Sequence, residues 1–505
     1  MDRREFLKLG AGAVSAGFAG AAPGANAAPA ARELPEASAQ KLPRWHGFNL
    51  LEKFQSGHPG PFVEQDFEWL AAWGFDFVRL PMDYRCWAKT PEADFDEPTL
   101  RDIDQAIEWG RQYGVHVNLN FHHAPGYCVN IPKAQVTLWT DPAVQDQFAR
   151  HWGVFARRFK GVPARRLSFD LVNEPGDVSN EVYAAVMGRA VAAIRAEDPG
   201  RLIVADGARW GTQPVPELIP LGIAQSTRGY EPAVLTHYRA SWMHGSENYP
   251  PPTWPVAVGI NAHLFGAGKP AQQSPLVLRV ACPQATPFSL RVAHVSARAE
   301  LVVSADGAVV LRKLFAPAAG EGEWKKSSLT QWGSYEADYD LACDATLPAG
   351  TRELRIEAGE GDWMTFSEIR VGEAAIRPSD SAWGVKQEEF VLDAQGRVQA
   401  AKPRFVHSRE TLRAKMIEPW KKLAAQGVGV HVGEWGAYQY TPHEVTLAWM
   451  RDCLDNWKEA GWGWALWNFR GSFGILDSGR ADVKYEDFKG HRLDRKMLEL
   501  LRQYV

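Results

Sequence analysis

Short apolar runs recur along this 505-residue chain with amphipathic stretches between most of them, and that alternation restricts the fold more than any other feature. A strand buried on both faces reads as a continuous apolar run. A helix packed over it carries apolar residues three and four apart, and the repeated pair builds a parallel sheet covered by helices. The runs fall at 46–51, 77–81, 115–121, 167–173, 202–206, 234–238, 428–434 and 462–468. Eight is the number that closes a parallel barrel. Helical spacing is clear at 142–159, 182–197, 410–425 and 444–460.

The pattern changes over residues 265–380. Runs at 276–281, 288–293, 299–304, 309–314, 335–341, 353–357 and 365–371 alternate with period two, and Asp306-Gly307 is a hairpin turn signal. Barrel patterning resumes afterwards, so this segment is an insertion and not a terminal domain. The expected fold is α/β: a (β/α)8 TIM barrel in two parts, 45–264 and 381–505, around an inserted all-β, jelly-roll-like sandwich at 265–380.

The first 27 residues are excluded from the fold. Asp2-Arg3-Arg4-Glu5-Phe6-Leu7-Lys8, an Ala/Gly-rich apolar stretch and Ala25-Asn26-Ala27 resemble a twin-arginine export signal with its cleavage site, followed by a Pro/Ala-rich linker at 28–44. The expected location is the periplasm or outside the cell, without a membrane anchor in the mature form. The net charge is only -4, with Lys and Arg scattered, which argues against nucleic acid and anionic lipid as partners. Twenty-one tryptophans lean towards sugars, whose C–H faces pack on indole rings, although core filling accounts for about half of them. The five cysteines, Cys86, Cys128, Cys282, Cys343 and Cys453, are odd in number and lack metal-type spacing. Free, mostly buried thiols are expected, with no metal, no cofactor and a monomeric chain.

Two carboxylates close barrel strands. The fourth run ends Leu171-Val172-Asn173-Glu174-Pro175 and the seventh His431-Val432-Gly433-Glu434-Trp435-Gly436, which sets both at one rim. Cleaving a β-glycosidic bond with retention needs one carboxylate to attack the anomeric carbon and one carboxylic acid to protonate the leaving oxygen, roughly 5–5.5 Å apart. Like-charge repulsion raises the acid's pKa. Glu174 is read as acid/base, Glu434 as nucleophile, and Asn173 as a partner for the sugar 2-hydroxyl.

These residues resemble glycoside hydrolase family 5, the family of cellulases, mannanases and related β-glycosidases, across about 45–260 and 400–505. The likeness rests on Phe77-Val78-Arg79-Leu80-Pro81, Asn120-Phe121-His122-His123-Ala124-Pro125-Gly126, Asn173-Glu174-Pro175, Gly433-Glu434-Trp435-Gly436 and Ala465-Leu466-Trp467-Asn468. It implies that Arg79 holds the nucleophile ionised, that His122 is the family's third-strand histidine and that Trp467 stacks under the sugar. The family's sixth strand usually carries His-x-Tyr, whereas this run reads Thr236-His237-Tyr238-Arg239. Tyr238 is expected on the nucleophile, with His237 displaced by one position and so on the opposite face. His123 reads as packing more readily than as a sugar contact, Trp435 equally as core or sugar wall, and His58, His151 and His443 as surface. In the insert, Gly361-Asp362-Trp363-Met364-Thr365-Phe366-Ser367-Glu368-Ile369 looks similar to the closing strand of jelly-roll carbohydrate-binding modules. Trp324, Trp332 and Trp363 form either a sugar platform or a docking face. Trp242 and Trp254, on the connection into the insert, are candidates to contact sugar beyond the cleavage point.

The expected function is retaining hydrolysis of β-linked glucan- or mannan-type chains by double displacement, with a carbohydrate as the only partner. An exo-acting β-glycosidase or a transglycosylase shares every catalytic residue. A non-catalytic carbohydrate-binding protein is expected to have lost one carboxylate.

Overall fold

The computed structural model describes residues 33–57, 59–130, 137–378, 383–402 and 404–505. The first 27 residues, read above as an export signal, and His58 fall outside the described residues.

Eight strands close the barrel: His46–Asn49, Phe77–Asp83, His116–Ala124, Leu167–Asp170, Leu202–Asp206, Ala224–Gly229, Val430–Trp435 and Trp464–Leu466. Each pairs in parallel with the next, and the eighth with the first. Covering helices include Pro142–Arg158, Asn180–Glu197 and His443–Ala460. Their apolar faces meet the strands directly; Trp152 stacks on Phe121 at 3.9 Å and both are fully buried. A side chain of that size contributes about 1.5–3 kcal/mol on burial. The helix expected at 410–425 is broken into Arg409–Leu412, a wide turn at Arg413–Ile417 and Glu418–Ala424.

The sixth strand differs from expectation. Residues 234–238 do not form a strand; Ala233–Thr236 is a helical turn, and the sixth strand is Ala224–Gly229. Its sequence, Ala224-Gln225-Ser226-Thr227-Arg228-Gly229, carries too little apolar character to register as a buried run. The polar groups are buried because they are paired. Gln225 donates to the Val215 carbonyl at 2.7 Å and accepts from the Val215 N–H at 3.0 Å, while the Thr227 hydroxyl donates to the Gly211 carbonyl at 3.2 Å.

Two histidines expected at the surface are buried. His151 lies among Trp87, Phe95 and Phe121, where Trp87 Nε1 donates to its Nδ1 at 3.2 Å and its Nε2 donates to the Pro91 carbonyl at 2.8 Å. Burial holds its pKa down at about 4. His443 opens its helix with Nε2 2.8 Å from Asp494 Oδ2. Trp435 is core, fully buried against Trp449, Trp457 and Trp464.

A second sheet of ten strands lies outside the barrel. Runs read separately from sequence are continuous strands here: Thr286–Ala305 unites 288–293 with 299–304, and Glu353–Val371 unites 353–357 with 365–371. Irregular register, with shifts at several points between these strands, interrupts the period-two signal inside each. The sheet also takes in Glu389–Leu392 and Val398–Ala400, past the expected end at 380. Asp306 and Gly307 turn the hairpin into Ala308–Phe315 with φ of +46° and +86°, the left-handed pair that a two-residue turn requires. Leu264, Leu290, Leu301, Ile356 and Phe366 head a hydrophobic core separate from that of the barrel. The chain leaves and returns through a neck in which Val256–Ala257 pairs with Phe405–His407. All five cysteines are free, four of them buried. Among the described residues no helix is long and apolar enough to cross a membrane, and no group of three potential metal ligands occurs.

Candidate active site

The C-terminal ends of the barrel strands gather two guanidinium groups and four carboxylates, all centred on Glu434 and Glu174. Arg79, in the middle of the second strand, is fully buried. Its Nη1 donates to Glu434 Oε1 at 2.5 Å and to Asn49 Oδ1 at 3.1 Å, its Nε to Asp170 Oδ2 at 2.8 Å, and its Nη2 to Asn173 Oδ1 at 2.9 Å. Fixed on three sides, this fork has one geometry in which to present itself to Glu434. Burial disfavours the charge of Arg79, but Asp170, Glu434 and Asp206 outweigh it and raise its pKa.

Glu174 sits in the left-handed region, with φ of +48°. For a residue with a side chain that conformation persists only where the surroundings enforce it. Asp206 Oδ2 accepts the Glu174 N–H at 2.8 Å, and the Tyr127 hydroxyl donates to the Glu174 carbonyl at 2.6 Å while accepting the Gly176 N–H at 3.0 Å. The side chain is thereby turned into the site, where Arg228 Nε donates to Oε1 at 2.9 Å. Burial, first, and then the neighbouring charge of Glu434 raise the Glu174 pKa to about 8, against the lowering effect of Arg228. With the side chain 16% exposed, solvent tempers that rise without reversing it. Glu434 has its Oε1 on both Arg79 and Arg228 and its Oε2 on the Tyr230 hydroxyl, which donates at 3.3 Å.

Of the sequence-predicted residues, the structure brings Glu174, Glu434, Arg79, Asn173, His122 and Trp467 together. His122 is buried, its Nε2 3.1 Å from Asn130 Nδ2 and 3.5 Å from Asn173 Nδ2, and its ring is 5.5 Å from that of Trp467. Burial, reinforced by Arg79 and Arg228, holds its pKa well below the usual range, so it is neutral. Trp467 is half-buried, with Phe54 edge-on at 5.5 Å.

Of three further residues, His123 and His237 lie off the site as their positions in sequence suggest, and Tyr238 is replaced. His123 follows His122 on one strand and so faces the other way, where Arg85 Nη2 meets its Nδ1 at 2.9 Å and Asp83 lies 3.6 Å off. Tyr238 has left the barrel wall with the helical turn, and the Arg239 guanidinium covers its ring; Tyr230, directly after the true sixth strand, takes the position on Glu434. His237 supports from behind, with its ring 5.3 Å from Tyr230 and its Nδ1 donating at 2.9 Å to the Thr236 hydroxyl, which in turn donates to the Tyr230 carbonyl at 2.6 Å. Burial lowers its pKa to about 4.

Arg228, Asp206, Asp170, Tyr127 and Tyr230 escaped the sequence reading. The signal was present as Arg228-Gly229-Tyr230, which has the His-x-Tyr spacing with Arg in the first place, but it closes a strand that was not recognised. Trp242 lies beside the site, edge-on to Tyr438 at 4.7 Å and 6.2 Å from His237, and is 53% exposed. Trp254 does not reach the site: its Nε1 donates to Asp452 on a covering helix at 2.8 Å. In the insert, none of Trp324, Trp332 and Trp363 stacks on another; Trp363 instead meets Trp383 at 90° and 5.2 Å.

The cellulase (glycosyl hydrolase family 5) model matches residues 39–227. Endoglucanase C of Acetivibrio thermocellus is 31% identical over 204 residues, which are 39% of this chain and 58% of that protein. The chain thus spans little more than half the length of this relative. A crystal structure of a glycoside hydrolase superposes with a TM-score of 0.59 at 28% identity, covering 91% of this chain and 99% of the other. Endoglucanase Cel5A from Thermotoga maritima, at 17% identity and a TM-score of 0.51 over 90% and 96% of the two chains, shares the fold. Closed barrel, strand-end motifs and these matches together make the chain cellulase-like, similar to glycosyl hydrolase family 5.

Proposed function

We propose that the chain is a retaining β-glycoside hydrolase that cleaves β-linked glucan- or mannan-type chains by double displacement. The observation that carries this reading is the unequal treatment of two carboxylates that share one guanidinium. Glu434 receives two guanidinium groups and a phenol, and Glu174 is pushed up to about 8 by burial and by Glu434. An ion-paired carboxylate beside a protonated one is what a nucleophile and a general acid require at neutral pH.

In the first step Glu434 attacks the anomeric carbon while the glycosidic C–O bond breaks, and the Glu174 proton passes to the departing oxygen. Because Oε1 of Glu174 accepts from Arg228, the proton resides on Oε2. In the second step Glu174, now a carboxylate, takes a proton from water as its oxygen attacks the anomeric carbon and releases Glu434. Asn173 Oδ1 is occupied by Arg79 and Arg228, so in this reading the amide Nδ2, 3.5 Å from His122 Nε2, is the atom that donates to the sugar 2-hydroxyl. Trp467 supplies a stacking face for the ring at the cleavage point.

The name of the relative, endoglucanase C, supports a β-glucan as substrate, and the N-terminal residues support export by the twin-arginine route. Residues 265–380 and the strands that extend them are read as a carbohydrate-contacting insert. Its exposed Trp383 is clamped edge-on by Trp363 and Phe265, which presents a rigid indole face.

Paired variants test the reading on aryl β-glycosides and on β-glucan and mannan oligomers. Glu434→Ala is expected to lose turnover and to recover part of it with azide, as an α-glycosyl azide. Glu174→Ala is expected to lose roughly 10²- to 10⁴-fold on natural glycosides and far less on activated aryl glycosides. Near wild-type rates for Glu434→Ala without azide, or equal losses for Glu174→Ala on both substrate types, overturn it.

A further inference from the structure

Where the family pattern has histidine on the sixth strand, this chain has Arg228, and its contacts give it a place in both halves of the reaction. Its Nε donates to Glu174 Oε1 at 2.9 Å, and its Nη2 lies 3.3 Å from Glu434 Oε1. The same Nη2 donates to Asn173 Oδ1 at 2.9 Å and to Asp206 Oδ2, and Nη1 donates to Asp206 Oδ1 at 2.9 Å and to Ser226 Oγ at 3.1 Å. Gly211, with φ of +75°, leaves room for its stem: a Cβ there meets Arg228 Cγ at 2.6 Å. The guanidinium is 1% exposed and cannot swing away.

The two catalytic carboxylates carry one negative charge between them throughout the reaction read above, on which this inference rests. At the start it is on Glu434, with Glu174 protonated. Once the glycosyl ester forms, Glu434 has no charge and Glu174, having given up its proton, has one. A neutral histidine cannot follow this transfer, whereas a guanidinium within reach of both groups compensates the charge at either end without moving. We infer that Arg228 is a positioning residue that holds the two carboxylates in register and serves as the common counter-charge as the negative charge passes from Glu434 to Glu174.

The surrounding charged groups do not substitute for it. Asp206 from the fifth strand and Asp170 from the fourth are anions or carboxyls, Tyr230 is a neutral phenol and His122 is neutral. Arg79 contacts Glu434 but makes no hydrogen bond to Glu174. Loss of the Arg228 charge therefore falls on Glu174. It removes an influence that lowers the Glu174 pKa, so the group becomes a weaker acid and the alkaline limb of kcat/KM, which reports its deprotonation, moves to higher pH.

The test compares the full-length chain with Arg228→His and Arg228→Lys across pH and across aryl β-glycosides of graded leaving ability. Arg228→His is expected to move the alkaline limb up by about 1–3 pH units, as removal of an adjacent opposite charge does. Its rate is expected to fall most on the poorest leaving groups. Arg228→Lys, which restores a charge without the fork, is expected to bring the limb back towards wild type while remaining slower on every substrate. Should the histidine variant not fold, Arg228→Gln, neutral and with an amide at about the depth of Nε, is read the same way. An unmoved limb with a uniform loss across leaving groups means that Arg228 is structural only and overturns the inference. Absence of glycosidase activity in the wild-type chain on the whole substrate panel overturns the hydrolase reading instead, and this inference with it.

Discussion

Tyr230 and Tyr238 offer a direct choice between the arrangement in the structure and the one expected from sequence. Tyr230→Phe removes a single oxygen, the hydroxyl that donates to Glu434 Oε2 at 3.3 Å, and leaves the ring that packs against His237 and Phe473. Hydrogen bonds to a charged group contribute about 1.5–3 kcal/mol, and 3.3 Å lies at the long end of their range, so the lower figure applies. A loss of about 1.5 kcal/mol is roughly 10-fold in kcat/KM. Glu434 Oε2 is also left without a donor, which adds to the loss if no water replaces the hydroxyl. Tyr238→Phe, under the Arg239 guanidinium and away from Glu434, is expected to change kcat/KM less than 2-fold, within about 0.5 kcal/mol. Steady-state kinetics on an activated aryl β-glycoside, with circular dichroism to check the fold, decides between them. A larger loss for Tyr238→Phe than for Tyr230→Phe refutes the assignment of Ala224–Gly229 as the sixth strand's catalytic edge.

Trp242→Ala is expected to lower kcat/KM on tri- and tetrasaccharides about 5- to 10-fold, the value of one aromatic contact of roughly 1–1.5 kcal/mol, with little change on aryl monoglycosides; equal effects on both argue against a sugar contact. Excising residues 263–400, between the neck strands, is expected to leave a folded barrel that still turns over aryl glycosides, because the two hydrophobic cores share no residue; an insoluble or inactive product contradicts that independence. Glu174→Gln removes a group whose pKa is higher folded than unfolded. Since the folded chain holds that proton between roughly pH 4.5 and 8 while the unfolded chain does not, wild-type stability declines across this window. The Tm of the variant should gain on that of wild type from pH 5 to pH 8, and a constant difference contradicts the raised pKa.

Much of the barrel was legible because the other seven strands each carry apolar residues close together, as in Phe77-Val78-Arg79-Leu80 and Leu167-Ser168-Phe169, with helical spacing after most of them. The sixth escaped for a physical reason: Gln225, Ser226, Thr227 and Arg228 are buried but satisfied by specific partners, and such pairing has no signature in hydropathy. With the sixth strand unmarked in hydropathy, Tyr238 stands at the expected strand end, and nothing singles out Tyr230 or Arg228. Glu174 and Glu434 were legible because their neighbours Pro175 and Gly433 mark strand ends. Asp170 and Asp206 were not, because a carboxylate inside a strand looks like alternation until the arginines it meets are known. In the insert, turn chemistry was readable at Asp306-Gly307, whereas strand continuity across irregular register was not.

The charges of the buried cluster constrain which of its carboxyls holds a proton. Arg79 and Arg228 supply two positive charges, against Glu174, Glu434, Asp170 and Asp206. With every carboxyl ionised the cluster carries two uncompensated negative charges in a site shielded from water, which is costly enough that protons are taken up instead. The groups that take them up are Glu174, raised to about 8, and Asp170, raised to about 7 by burial first and by Asp206 next. The general acid is thus protonated partly because folding does not tolerate the alternative. Asp170 is the half of this argument that can be tested without touching the reacting groups. Its Oδ2 accepts from Arg79 Nε, while Oδ1 is buried without a hydrogen-bond partner. In Asp170→Asn the amide oxygen takes the place of Oδ2 and the amide nitrogen that of Oδ1, so at pH 6 the variant reproduces the shape and the charge of the protonated acid. It is expected to keep activity within about 10-fold of wild type at pH 6. Asp206→Asn, which deprives Arg228 of its two-pronged partner, is expected to lose about 100-fold or more, since breaking a buried ion pair costs roughly 3–5 kcal/mol. Losses at pH 6 as large for Asp170→Asn as for Asp206→Asn would mean that Asp170 is ionised there, and the charge argument for a protonated Glu174 would fall with it.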